Sequence, residues 1–372
     1  MSEISETINT YRPDLTTYEE FYKHLHRNPE LSFQERETAA TISARLTSLL
    51  DAFPSIKTSI HTEIGSYGLA AVLHNQDSHG SSPTVLLRAD MDALPVEEQT
   101  RLEYASNKPL IAAAELLLKA RERWRGTVVL CFQPAEELGK GAQAMIDGGL
   151  YEKVPIPDVL IGGHVMSRKA GTIGTRRGLL ASAADSYTLK IHGRSGHASQ
   201  PHRTCDPIVT AAHTIVRLQS IAAREVDPEE GAVVSVGYIH AGNAVNVIPD
   251  TAHVGIDVRT FSPDTRAHVL GALRRIVNAE SAAAGAPPPE LVEERAYPFL
   301  VNDEMATRKV EDVFSAHFGD AYDAHAKGLG GSEDFGVLAT AVGRPSVYFM
   351  YGATDQRLWE RLENEGELQA HF

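Results

Sequence analysis

Residues 84–95 read TVLLRADMDALP, and they decide how this chain folds. The first five residues form a short, continuous apolar run, the pattern of a strand that is buried on both faces. Residues 127–132 (TVVLCF) and 159–161 (VLI) have the same character, and residues 110–123 between the strands show helical spacing of apolar side chains. Buried strands separated by helices predict an α/β sheet covered on both faces.

A second pattern begins after this sheet. It predicts a strand at 185–191, a helix at 206–224, strands at 232–239 and 252–259, a helix at 264–283 and a strand at 290–295. The order β-α-β-β-α-β is that of a ferredoxin-like α+β domain. The sequence therefore predicts an α/β domain made of residues 1–182 and 290–372, with a smaller domain of residues 183–289 inserted into it.

Composition excludes several classes of protein. The net charge of −14 argues against a nucleic acid or an anionic membrane as partner, because both select basic faces. No apolar run has the length of a membrane span, and residues 1–13 lack the apolar core of a secretory signal. Cys131 and Cys205 are too few for a disulfide framework. These features together predict a cytoplasmic protein.

Polar side chains follow each of the three buried strands. They are Asp90 and Asp92 after the first strand, Glu136 and Glu137 after the second, and His164 after the third. Each has an ordinary structural alternative, since Asp caps turns, paired Glu residues begin helices and a single His is often structural. Their coincidence at one sheet edge, where α/β folds bind ligands, favours a divalent metal site with carboxylate and imidazole ligands.

These motifs resemble the aminoacylase, hippurate-hydrolase and auxin-conjugate-hydrolase family. The resemblance covers HRNPELS at 26–32, RADMDALP at 88–95, QPAEE at 133–137, GH at 163–164, GRSGHA at 193–198, GNAVNVIP at 242–249, DVR at 257–259 and GSEDF at 331–335. It implies a zinc-peptidase-like catalytic domain with a mixed sheet flanked by helices. It also implies that the inserted domain is a lid and dimerisation domain, and that the protein is a homodimer.

The resemblance also implies roles for individual residues. Glu136 would act as general base and acid, with Asp92 supporting the site, and Glu137 and His164 would bind Zn²⁺ or Mn²⁺. The implied reaction is hydrolysis of the amide bond of N-acyl amino acids or related amides by a metal-activated water.

In the inserted domain, the resemblance makes His197 a donor to the substrate carbonyl oxygen, reaching the site of the partner subunit. Asn246 and Arg259 would bind the carboxylate of the amino-acid moiety. Their structural alternatives are that Arg259 pairs with an acidic side chain and that Asn246 shapes the turn before Pro249.

The chain departs from the family pattern in two places. Relatives carry a Cys-Gly-His-Asp motif with two metal ligands before the helix that here begins near Leu110, and no such motif occurs in this sequence. Relatives also place a metal-binding histidine in an Asn-His-Ser-Pro-like loop beyond the strand ending near Gly352, and the context of His371 does not match it. The alternative prediction is therefore a catalytically inactive or incomplete member that acts as a dimeric binding protein.

Overall fold

A computed structural model describes residues 3–75, 82–94 and 110–367 of the chain. The helices are α1 (Glu3–Tyr11), α2 (Thr16–Arg27), α3 (Arg36–Asp51), α4 (Leu110–Lys119), α5 (Gly141–Asp147), α6 (Leu150–Lys153), α7 (Pro207–Arg224), α8 (Pro263–Ala283), α9 (Glu304–Phe318), α10 (Phe335–Thr340) and α11 (Gln356–Glu365). The strands are β1 (Lys57–Ile64), β2 (Gly68–Asn75), β3 (Thr84–Asp90), β4 (Gly126–Gln133), β5 (Val159–Lys169), β6 (Ile173–Gly174), β7 (Gly178–Ala181), β8 (Ala183–His192), β9 (Gly196–His197), β10 (Ala232–Ala241), β11 (Val247–Ile248), β12 (Thr251–Thr260), β13 (Glu290–Tyr297), β14 (Leu300–Asn302), β15 (Tyr322–Asp323) and β16 (Ser346–Thr354). Within the described ranges, no helix has both the length and the apolar character needed to cross a membrane.

The chain divides into two compact units. The larger unit comprises Met1–Leu180, Val301–Gly328 and Asp334–Phe372, and the smaller unit comprises Ala181–Leu300 and Leu329–Glu333. The smaller unit extends beyond the predicted range of 183–289, because β13 hydrogen-bonds to β8 and so completes its sheet.

The larger unit contains an eight-stranded mixed sheet in the order β1-β2-β4-β3-β5-β16-β6-β15. The pairs β4–β3, β3–β5 and β5–β16 are parallel, whereas β1–β2 and β2–β4 are antiparallel. The predicted mixed α/β sheet flanked by helices is confirmed. All eight residues of β4 are buried, which explains the continuous apolar run that predicted this strand.

Helices α2, α3 and α4 bury their apolar faces on this sheet, with Ile42, Leu46, Ile111 and Leu118 in the core. The sequence missed β1, whose residues are mostly exposed or half-buried and lack a clear apolar pattern. The predicted helix at 110–123 was too long, since α4 ends at Lys119 and a separate 3₁₀ turn follows.

The smaller unit contains a four-stranded sheet in the order β10-β12-β8-β13, with every neighbouring pair antiparallel. This is the ferredoxin-like arrangement that the sequence predicted. Helices α7 and α8 cover one face, where Leu218, Ile221, Leu273 and Ile276 pack on inward side chains of the strands. Both helices begin at a capping side chain, Asp206 for α7 and Ser262 for α8.

Candidate active site

The strand register brings three motif segments to one level of the larger sheet. Asp90 at the end of β3 pairs with Gln133 at the end of β4, and Arg88 pairs with Gly162 of β5. Two residues further along, Asp90 and His164 therefore reach the same level. His164 was predicted to follow its strand, but β5 continues to Lys169, and His164 pairs with Met350 of β16.

Asp92 holds the turn that carries the two adjacent glutamates. Its Oδ1 accepts a hydrogen bond from the backbone N–H of Glu136 at 3.0 Å, and its Oδ2 accepts one from the N–H of Glu137 at 3.0 Å. The hydroxyl of Ser32 donates to the same Oδ2 at 2.7 Å. Hydrogen bonds to an ionised carboxylate are stronger than neutral ones, so Asp92 fixes both glutamate backbones in place.

A buried polar network lies beneath this turn. The guanidinium of Arg88 donates to Gln133 Oε1 at 2.9 Å and lies 3.6 Å from Asp334 Oδ1. Gln133 donates to Asp334 Oδ1 at 2.6 Å, and the N–H of Ala142 donates to Oδ2 at 3.0 Å. Sequence reasoning assigned no role to Arg88, Gln133 or Asp334. The available signal was an arginine at the end of a buried apolar strand, which requires a buried partner.

The candidate metal ligands are of suitable chemical types. The Nδ1–H of His164 donates to the carbonyl oxygen of Val165, which can only accept, so a neutral ring keeps the lone pair of Nε2 for a metal. Glu137 supplies carboxylate oxygens. Glu136 is buried, and its carboxylate lies within 4.8 Å of a carboxylate oxygen of Asp334.

The described residues offer fewer grouped metal ligands than a catalytic zinc site needs. Among the described residues, neither Glu137 nor His164 belongs to a group of three or more ligand atoms that lie within 4.8 Å of one another. A catalytic zinc ion usually has three protein ligands. His371, the alternative ligand at the end of the sequence, lies outside the described residues. The described donors fit a divalent ion in kind, and in number they fit one weakly held ion.

A cavity of about 270 Å³ lies at this edge of the larger sheet, lined mainly by apolar residues of β3, β5, β16 and α4. Arg88, Asp90 and Tyr351 are its polar members, and burial raises the pKa of Tyr351 to about 12, with the negative charge of Asp90 adding to the shift. Two glycines shape the β5 side of the cavity. A Cβ atom would lie 2.8 Å from the Tyr348 ring at Gly162 and 2.7 Å from the Phe349 ring at Gly163.

In the smaller unit, His197 lies in β9, which pairs with β11. Its Nδ1 accepts a hydrogen bond from the backbone N–H of Ser199 at 3.2 Å and lies 2.8 Å from the Ser199 hydroxyl. A neutral His197 therefore carries its hydrogen on Nε2. That nitrogen is a hydrogen-bond donor on an exposed side chain, as an oxyanion contact requires.

The structure places Asn246 beside His197 and Arg259 far from both. The backbone oxygen of Asn246 accepts from the N–H of Ala198 at 3.0 Å. β12 begins at Thr251, shortly after this loop, and Arg259 lies eight residues further along the strand, about 26 Å at roughly 3.3 Å per residue. Within one chain, His197 and Arg259 thus lie toward opposite ends of the smaller sheet.

Arg259 already has partners. Its Nε donates to Asp257 Oδ2 at 2.8 Å, and one terminal nitrogen donates to the Ser332 hydroxyl at 3.0 Å. The pairing with an acidic side chain, considered from the sequence as the structural alternative, is present. A guanidinium has five N–H donors, so this pairing does not use all of its capacity.

Comparison with known proteins shows a consistent relationship. A model of peptidase family M20/M25/M40 matches residues 86–366. The chain is 34% identical to a hippurate hydrolase of Campylobacter jejuni, over 86% of this chain and 84% of that protein. It is 32% identical to the IAA-amino acid hydrolase ILR1-like 4 of Arabidopsis thaliana, over 86% and 74%. The Bacillus subtilis YXEP protein, described as a dinuclear metal binding peptidase of the M20 family, superposes with a TM-score of 0.68 at 30% identity, covering 91% of this chain and 88% of that one.

Proposed function

This chain belongs to peptidase family M20/M25/M40, and we propose that it hydrolyses the amide bond of N-acyl amino acids or related amino-acid conjugates. The observation that carries the proposal is the Asp92 carboxylate, which binds the backbone N–H groups of both Glu136 and Glu137. This arrangement presents two carboxylates at the edge of the sheet where α/β folds bind ligands. The proposed substrate class rests on the similarity to a hippurate hydrolase and an IAA-amino acid hydrolase.

In the proposed reaction, the oxygen of a water molecule bonds to the carbonyl carbon of the amide, and the C–N bond then breaks. Glu136 takes a proton from the attacking water and delivers it to the departing nitrogen, so that an amine and a carboxylic acid are formed. The Nε2–H of His197 donates to the carbonyl oxygen as negative charge develops on it. Arg259 of one protomer and Asn246 of its partner hold the carboxylate of the amino-acid moiety.

Glu137 and His164 would hold a divalent metal, Zn²⁺ or Mn²⁺. Such an ion lowers the pKa of water toward neutrality and polarises the amide carbonyl. Protons compete with the ion for these ligands, because the ion binds the deprotonated carboxylate and the neutral imidazole.

The direct test combines metal titration with a hydrolysis assay. Metal-free protein is titrated with Mn²⁺ or Zn²⁺ by calorimetry, and release of glycine from N-benzoylglycine is measured at each metal concentration. We expect turnover to rise with metal occupancy and to disappear on chelation with EDTA. Turnover that persists in metal-free protein, or full occupancy without turnover on a panel of N-acyl amino acids, would contradict the proposal.

A second function is favoured by the small number of described metal ligands and by the missing Cys-Gly-His-Asp motif. The protein would then be a dimer that binds N-acyl amino acids without hydrolysing them. Calorimetry with N-benzoylglycine distinguishes the two functions, because the second one gives stoichiometric ligand binding with no metal requirement and no product.

We also propose that the protein is a homodimer formed by the smaller unit. β10 lies at the edge of its sheet, which leaves backbone groups open to pairing with another strand. Its side chains Val233 and Ile239 are exposed, and so are Val209 and Val216 on the adjacent helix α7. A twofold axis here would bring the His197 loop of one protomer toward its partner, consistent with the separation of His197 from Arg259 within one chain.

The V216D substitution tests the dimer. Val216 is 74% exposed, so its replacement should leave the monomer folded while placing a charge in an apolar interface. In sedimentation, the unchanged protein should have twice the chain mass of 40.4 kDa, and V216D should shift toward 40.4 kDa. The matched control is V313D on α9 of the larger unit, where Val313 is 37% exposed. An equal shift in both variants, or a monomeric unchanged protein, would contradict the proposed interface.

A further inference from the structure

The segment that precedes α3 contacts both motif turns of the larger unit. The backbone N–H of Ala93 donates to the Glu30 carbonyl at 2.9 Å, and Leu31 forms a parallel bridge with Ala93. The Ser32 hydroxyl donates to Asp92 Oδ2 at 2.7 Å. We call residues 30–35 the strap, because they contact the two turns that carry Asp92 and Glu136.

Glu35 is the residue of the strap with the least ordinary environment. Its side chain is fully buried, and Oε1 accepts from the backbone N–H of Ala135 at 2.8 Å and from that of Phe33 at 3.0 Å. Among the described residues, Oε2 meets no hydrogen-bond partner. Burial raises the pKa of the Glu35 carboxyl, the backbone N–H donors oppose this shift, and the negative charge of Asp92 adds to it. Burying a carboxyl group costs free energy, so a buried carboxyl at this position requires a compensating interaction.

Ala135 provides this interaction through its backbone N–H. It has φ 49° and ψ 39°, the left-handed conformation, which is strained for a residue with a Cβ atom. It immediately precedes Glu136, so its conformation sets the direction in which both glutamates leave β4. The N–H groups of three successive residues, Ala135, Glu136 and Glu137, are all bound by carboxylates, the first by Glu35 and the other two by Asp92.

We infer that Glu35 is a positioning residue, which stabilises the strained backbone at Ala135 and thereby orients Glu136 and Glu137, with Ser32 supporting Asp92 in the same task. Glu35 acts through a hydrogen-bond acceptor rather than through charge, since the bond that matters is accepted by one carboxyl oxygen from a neutral N–H. The catalytic consequence rests on the proposed function, whereas the structural role of Glu35 does not.

Hydrogen–deuterium exchange of the segment 134–138 tests the structural role directly. In Glu35→Ala the amides of residues 135–137 should exchange about five- to tenfold faster, because the loss of one net hydrogen bond allows the turn to open more often. Glu35→Gln keeps a carbonyl acceptor and should restore slow exchange. Glu30→Gln is the matched control, because the Glu30 carboxylate accepts from Glu37 and Thr38 at the start of α3 and does not contact the turn.

Two outcomes would overturn the inference. One is unchanged exchange at 135–137 in Glu35→Ala, and the other is an equal increase in the β4 segment 126–133, which would indicate general loosening. Should Glu35→Ala fail to fold, Ser32→Ala removes only the half-buried hydroxyl that supports Asp92, and faster exchange at Glu136 and Glu137 is expected there. Unchanged exchange in that variant would contradict the proposal that Ser32 supports Asp92.

A kinetic measurement then separates positioning from stability. Glu35→Ala should lower kcat about 100-fold at nearly constant KM, since a small misplacement of a catalytic group costs about that much, and Glu35→Gln should recover most of it. An equal loss in both variants would overturn the acceptor role. If the unchanged chain hydrolyses no N-acyl amino acid, the proposed function fails, while the exchange experiment still decides the role of Glu35.

Discussion

Replacing Glu136 by glutamine should lower kcat for N-benzoylglycine about 1,000-fold while leaving the fold intact, since general acid–base catalysis contributes about 10²–10⁴-fold. Glutamine has nearly the same shape but cannot take up a proton from water. The contact that positions residue 136 is made by its backbone N–H to Asp92, and this contact is unchanged by the substitution. Steady-state kinetics with saturating Mn²⁺, together with a thermal unfolding curve, provide the measurement.

Glu137→Gln is the matched control, because the same chemical change is made one residue away on the same turn. It should weaken Mn²⁺ binding in calorimetry, whereas Glu136→Gln should bind the metal with unchanged affinity. A Glu136→Gln variant that keeps more than about a tenth of the activity would exclude Glu136 as the general base. Equal metal affinities in both variants would contradict the assignment of Glu137 as a ligand.

The fold was largely predictable because its central strands are continuous apolar runs in the sequence. β3 and β4 are apolar runs with neighbours on both sides in the sheet, and the six elements predicted for the smaller unit show clear periodicity. β1 was missed because an outer strand can remain partly exposed without an apolar pattern. The length of β5 was underestimated because its second half, beyond Gly163, pairs with β16, a strand almost two hundred residues away in the sequence.

The site was only partly predictable for a related reason. The acidic residues at strand ends could be read from sequence, because strand ends meet at one edge of a sheet. Glu35 and Asp334 could not, since their partners Ala135 and Gln133 lie 100 and 201 residues away. The ends of β12 were predicted almost correctly, but the pairing of β9 with β11 was not, and this pairing places His197 next to Asn246 and away from Arg259.

Replacing Asp334 by alanine should lower the free energy of unfolding of the larger unit by about 3–5 kcal/mol, the usual cost of removing one partner of a buried ion pair. Arg88 and Asp334 are both buried, and their closest charged atoms lie 3.6 Å apart. Loss of the carboxylate removes the negative charge 3.6 Å from the Arg88 guanidinium, and it removes an acceptor from Gln133 and from the N–H of Ala142. Urea unfolding followed by tryptophan fluorescence measures the change.

Asp323→Ala is the matched control in the same unit. Asp323 is 3.7 Å from Arg168 on the surface, where removal of an ion pair changes stability by about 0–1 kcal/mol. The double variant Arg88→Met, Asp334→Leu should be more stable than Asp334→Ala, because apolar side chains then replace the buried ion pair as a unit. The proposed role of the buried pair would be contradicted in two cases. One is a loss of unfolding free energy below about 1 kcal/mol in Asp334→Ala, and the other is a double variant less stable than the single one.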